Sequence, residues 1–136
     1  MPRIQDRLRA LGLTLPAALK VPPGVVLPFR VVRVIGDRAV ISGHGPQAPD
    51  GSIAGPLGKV GAQVTLEQAY QSARLTALAV LGSLERELGD LDRIACWVRV
   101  FGMVQTRVGE RSAQQEGAAV LVFETEEDAL QWLRSS

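Results

Sequence analysis

The sequence predicts an α+β fold, an antiparallel or mixed sheet backed by helices. Three observations predict it. Two β-branched runs meet at Gly36-Asp37, residues 66–88 carry one apolar helical stripe, and residues 93–104 form an extended run that is apolar on both faces. The 136 residues suit a single domain over 1–136 with one core. Hydrophobic residues make up 46% and charged residues 21%, a globular balance rather than a disordered one.

Taken in order, Ile4, Leu8 and Leu11 are spaced for a short helix that ends near Gly12. Pro16, Pro22, Pro23 and Pro28 then break regular structure, so residues 1–28 read as a helix followed by an extended arm. Phe29–Ile35 and Ala39–Ile41 are rich in β-branched residues, and the intervening turn makes them an antiparallel hairpin. Residues 43–61 hold six Gly and three Pro and are expected to be loop.

Thr65 is a good N-cap, and Gln68 three residues later completes a capping box. Leu66, Ala69, Tyr70, Ala73, Ala77, Leu81, Leu84 and Leu88 form the stripe of the helix, and Gly89 ends it. The small Ala69, Ala73 and Ala77 predict close packing on a sheet. In the following run, Trp97, Phe101 and Met103 share a face with Arg99, while Ile94, Cys96, Val98 and Val100 occupy the other. A strand apolar on both sides must be covered on both, and so small a chain has few elements to do it, which implies another subunit. Residues 107–117 are polar and read as loop, Ala119–Phe123 as a short strand, and Thr125-Glu126-Glu127-Asp128 as the cap of a terminal helix.

Composition removes several function classes. Fifteen basic and 14 acidic residues leave a net charge of +1, so no broad positive field exists to drive nucleic-acid or membrane binding. One Cys and one His are too few for a disulfide or for a Cys- or His-based metal centre. The charged start lacks an apolar signal region, and no run approaches the ~20 apolar residues that span a bilayer. A cytoplasmic protein with no membrane, metal or cofactor is expected. No GxGxxG or GxxxxGK pattern opens a helix, so the glycines of 43–61 are not a phosphate loop.

Several short strings stand in a telling order: Val40-Ile41-Ser42-Gly43-His44-Gly45-Pro46, Gly58-Lys59-Val60-Gly61, Ala73-Arg74-Leu75, Gly89-Asp90-Leu91-Asp92-Arg93 and Val98–Val104. Together, from about Pro28 to Thr106, they resemble the RidA family (reactive intermediate deaminase, also called YjgF or endoribonuclease L-PSP). The resemblance implies a chorismate mutase-like fold and a homotrimer with ligand clefts between subunits. It also implies cofactor-free hydrolysis of enamines or imines to 2-keto acids and ammonia. In this family an arginine holds the substrate carboxylate and a glutamate positions water, for which Arg111 and Glu124 are the candidates. Ser42 and Gly43, with Phe29 where the family often has Tyr, are the implied substrate contacts.

The chain also departs from the family. The second long helix expected after Thr106 is missing, and so is the strand that carries the arginine. Glu110-Arg111-Ser112-Ala113 echoes that strand only in a polar stretch, which makes 107–136 a divergent segment. Two readings therefore stand: a binder of small carboxylates or imines that deaminates them, and a non-catalytic metabolite-binding or structural member of the fold. The RNA-cleaving activity sometimes attached to the family finds no support in the charge balance. Bland alternatives accompany each residue. His44 reads as a solvated or backbone-bonded loop residue, Cys96 as a small buried hydrophobe, and Arg111 as a solvated arginine. Trp97, Phe101 and Met103 read as core or interface, and Arg99 as either a strand end or a carboxylate contact.

Overall fold

A computed structural model describes residues 3–106 and 117–123. The chain is α+β. Its elements run α1 (Ile4–Ala10), β1 (Val32–Ile35), β2 (Arg38–Ile41), α2 (Leu66–Leu88), a 3-10 turn at Leu91–Arg93, β3 (Val100–Thr106) and β4 (Gly117–Phe123). The strands form two antiparallel pairs, β1 with β2 and β3 with β4. No described helix is long and apolar enough to cross a membrane.

The chain divides into two compact units. The first comprises Met1–Gly55 and Tyr70–Arg93. Here β1 and β2 pair with Val32 opposite Ile41 and Ile35 opposite Arg38, and Gly36 adopts a positive φ of 61° in the turn, as the Gly-Asp signal requires. Val32, Leu78, Ala79, Leu84 and Leu91 are its buried apolar residues. Within α2, burial falls on Leu78, Ala79, Gly82, Ser83 and Leu84.

That corrects the expected stripe. Ala73 and Ala77 are exposed, and Leu66 is 57% exposed. Steps of three and four also connect Leu75, Leu78, Ala79 and Gly82, and the last three of this second row are buried together with Leu84 of the expected stripe. Gly82 supplies the close approach assigned to the alanines: a Cβ there would sit 3.2 Å from the Pro16 carbonyl oxygen. The proline-rich arm, not a sheet, is what the small residue admits.

The arm is pinned to the glycine-rich loop as well. Ala17 donates its N–H to the Pro49 carbonyl at 2.9 Å, and Lys20 to that of Gly51 at 2.9 Å. Gly51 has φ +86°, and any Cβ on it would fall 2.1 Å from the Ala18 carbonyl oxygen. Only glycine fits there. Asp50 accepts from Lys20 Nζ at 2.6 Å, from Ser52 Oγ at 2.6 Å and from Ser52 N at 3.1 Å. These contacts, the lysine first, hold its carboxyl well below the usual carboxylate range.

The second unit comprises Pro56–Ala69 and Ile94–Ser136. Its capping box forms as the sequence predicts: Gln68 N donates to Thr65 Oγ1 at 3.2 Å, and Thr65 N to Gln68 Oε1 at 2.9 Å. Lys59–Val64 folds into a turn closed by the Lys59 carbonyl, and Val60 N donates to the Gln105 carbonyl at 2.9 Å. Pairing of β3 with β4 runs from Val100 opposite Phe123 to Thr106 opposite Gly117. The extended run thus becomes strand only from Val100, later than the expected start at 93. Residues 94–99 have no regular structure. The described ladder begins at the pair of Val100 and Phe123.

Candidate functional site

The stretch Ser42-Gly43-His44 leaves β2 and enters the glycine-rich loop. Ser42 closes the hairpin, donating both its N–H (2.9 Å) and its hydroxyl (3.1 Å) to the Val31 carbonyl. The Ser42 carbonyl then faces His44 Nδ1 at 2.8 Å. A carbonyl can only accept, so Nδ1 carries the proton and a neutral ring must accept at Nε2. Ser83 Oγ lies 2.9 Å from that nitrogen and donates to it. Ser83 Oγ in turn accepts from Arg86 Nη2 at 3.1 Å, and Arg86 Nη1 donates to the Pro16 carbonyl at 3.0 Å.

One polar relay therefore ties loop, helix and arm together. It has the order of a nucleophile, a base and an orienting acceptor, with a backbone carbonyl in the third place. Access decides its role. Ser83 is 7% exposed, sits within α2 five residues from its end, and accepts from a guanidinium. A hydroxyl so enclosed cannot meet an acyl carbon or a phosphorus, so the relay is a clamp. The backbone-bonded reading of His44 holds. Its serine partner was not anticipated, although a Ser between Gly82 and Leu84, with Arg86 three residues on, is a polar interruption readable in the helix.

Of the expected substrate contacts, Ser42 and Gly43 lie together at the end of β2. Phe29 is 55% exposed, two residues before the Val31 carbonyl that Ser42 holds. Arg111 and Glu124 lie outside the described residues. Cys96 is exposed, which corrects its reading as a buried hydrophobe: it falls in the irregular 94–99 stretch, ahead of the first residue of β3. Trp97 is 40%, Phe101 54% and Met103 72% exposed within the single chain. Arg99 is exposed too.

A shallow groove of about 260 Å³, lined by Leu8, Leu13, Thr14, Leu15 and Glu85 among others, contains none of the expected contacts. Among the described residues no three His, Cys, Asp or Glu side chains gather into a metal-binding group. Gln47, 5% exposed in the same loop as His44, leaves its Oε1 without a hydrogen bond among the described residues, a position that costs stability.

No family model matches the chain, and no solved structure matches it. Among curated proteins, it is 31% identical over 124 residues to Protein TCP17 of Trypanosoma cruzi, an alignment covering 89% of this chain and 73% of that protein. The chain belongs to the family of Protein TCP17. The TCP17 name carries no statement of substrate or reaction, so the chemistry has to be argued from the residues above.

Proposed function

We propose that the protein is a RidA-like binder of small carboxylates or imines, with a chorismate mutase-like arrangement of three copies and its ligand site in a cleft between subunits. The observation that carries this reading is the order of elements around Ser42. A β1–β2 hairpin runs into the Ser42-Gly43 turn, a glycine-rich loop, a 23-residue helix and an apolar strand in the sequence of the resemblance. Among the described residues the Ser42 hydroxyl donates and accepts nothing, so its lone pairs face no protein donor there. Phe29 offers an exposed ring for a planar ligand. The apolar residues of 97–103 that a single copy leaves open supply the surface for association.

Enamine or imine deamination, with Arg111 on the carboxylate and Glu124 on the attacking water, is the reaction to assay. Ammonia release from freshly generated 2-aminoacrylate above background, abolished by Arg111→Ala and by Glu124→Ala, is the expected result. Turnover unchanged in both variants removes those residues from the mechanism. A background rate with retained carboxylate binding favours the non-catalytic reading, to which the missing phenol at Phe29 already points. Light scattering at micromolar concentration tests the assembly: a lone protomer ends the proposal of a shared cleft.

A further inference from the structure

The face of the hairpin opposite Val32 has a definite pattern. Side chains alternate along a strand, so Arg33 and Ile35 of β1 share a face with Val40 and Arg38 of β2, Arg33 opposite Val40 and Ile35 opposite Arg38. On the other face Val32, at the base of the hairpin, is only 4% exposed, and Val34, nearer the turn, is 44% exposed. The outer four form a checkerboard, with the two guanidiniums on one diagonal and the two apolar side chains on the other. Ile35 is 60% and Val40 57% exposed, and both arginines are exposed. Among the described residues neither guanidinium has a hydrogen-bond or ion-pair partner.

We propose that this face docks an acidic, partly aliphatic segment of another protein. Diagonal neighbours on an antiparallel ribbon stand roughly 7–8 Å apart. Carboxylates two residues apart on an extended chain recur at about 6.6 Å, so one partner strand can meet both guanidiniums, each in the bidentate geometry that arginine favours. Its aliphatic side chains cover Ile35 and Val40. That apolar diagonal selects a protein over a nucleic acid, because a sugar-phosphate backbone satisfies the cations and leaves the two hydrocarbon surfaces wet. The net charge of +1 gives a polyanion no long-range steering either. The proposal is independent of the ligand cleft and stands or falls without it.

Fluorescence anisotropy on the full chain tests it with three labelled probes: a peptide repeating Glu-Leu-Asp-Ser, one repeating Glu-Ser-Asp-Ser, and a single-stranded oligothymidylate of matched charge. The leucine-containing peptide binds most tightly. Arg33→Gln with Arg38→Gln weakens it about tenfold or more, and the charge-preserving Lys pair weakens it severalfold. Ile35→Thr brings the leucine peptide down toward the serine peptide and leaves the latter unchanged. Should the Gln pair unfold, as circular dichroism would report, the Lys pair carries the same comparison. Absence of saturable binding by the leucine peptide, indifference to the arginine substitutions, or tighter binding of the oligonucleotide overturns the proposal.

Discussion

The two antiparallel pairs solve the same problem differently. A lone two-stranded ribbon is marginal in water and needs a cover or an anchor. β1–β2 has one within its own unit: Val32 is buried, Ser42 closes the pair, and the relay from His44 through Ser83 and Arg86 fastens the following loop to α2 and the arm. β3 instead keeps Val100, Phe101 and Met103 largely open to solvent. The first region fastens its base with its own polar groups, at Ser42 and along the His44 relay, and leaves only the outer part of the hairpin open. The second carries apolar surface that a single copy does not bury, the usual mark of an interaction site.

The sharpest way to break this contrast is at the arm. Gly51→Val combines a positive-φ position with a Cβ clash against backbone, and it should cost about 3 kcal/mol or more in chemical denaturation. His44→Ala leaves the Ser83 hydroxyl and the Ser42 carbonyl short of partners, so a loss of about 1–2 kcal/mol is expected by the same measurement. Phe101→Thr with Met103→Thr should move the unfolding free energy of a dilute single copy by less than about 0.5 kcal/mol, while sharply reducing any association seen by sedimentation. A stability loss as large as that of His44→Ala would show that β3 is a core strand after all.

The smallest effect concerns acid. Asp50 and Asp92 both have depressed carboxyl pKa values in the folded chain, Asp50 chiefly through Lys20 and Asp92 chiefly through the Ile4 N–H and then Arg3. A depressed folded value means the stabilisation is present above the unfolded pKa of about 4 and is lost as pH falls below it. Melting temperatures should therefore drop from about pH 4 downward, and Asp50→Asn should flatten that slope. Both groups are solvent-exposed, so high salt should blunt the effect.

What could be read from the sequence was whatever is decided locally. Thr65 with Gln68, Gly89 past the end of α2 at φ +77°, and Gly36 in the hairpin each answer to neighbours within a few residues, and each appears where expected. The buried face of α2 is decided by what packs against it, and two apolar rows competed. Gly82 of one row meets the arm while Leu84 of the other stays buried, a division that no periodicity contains. The start of β3 depends on pairing with β4, 20 or more residues downstream, so the apolar run through Cys96 and Trp97 does not by itself fix where the strand begins. The site divides the same way: the Ser42–His44 turn is local and legible, whereas Ser83 reaches His44 across 39 positions.

The first helix draws its order from a distance. Arg3, at the position before α1, makes no side-chain cap. The Ile4 N–H is taken by Asp92 Oδ1 at 2.8 Å, while Arg3 itself grips Asp92 and Asp90. Seven residues are too few to hold a helix in water alone. The order of α1 therefore waits on the turn at Leu91–Arg93, nearly ninety residues further along the chain, to receive it. Removing those early residues leaves two carboxylates side by side without their cation, so an amino-terminal truncation is felt at the far end of the long helix.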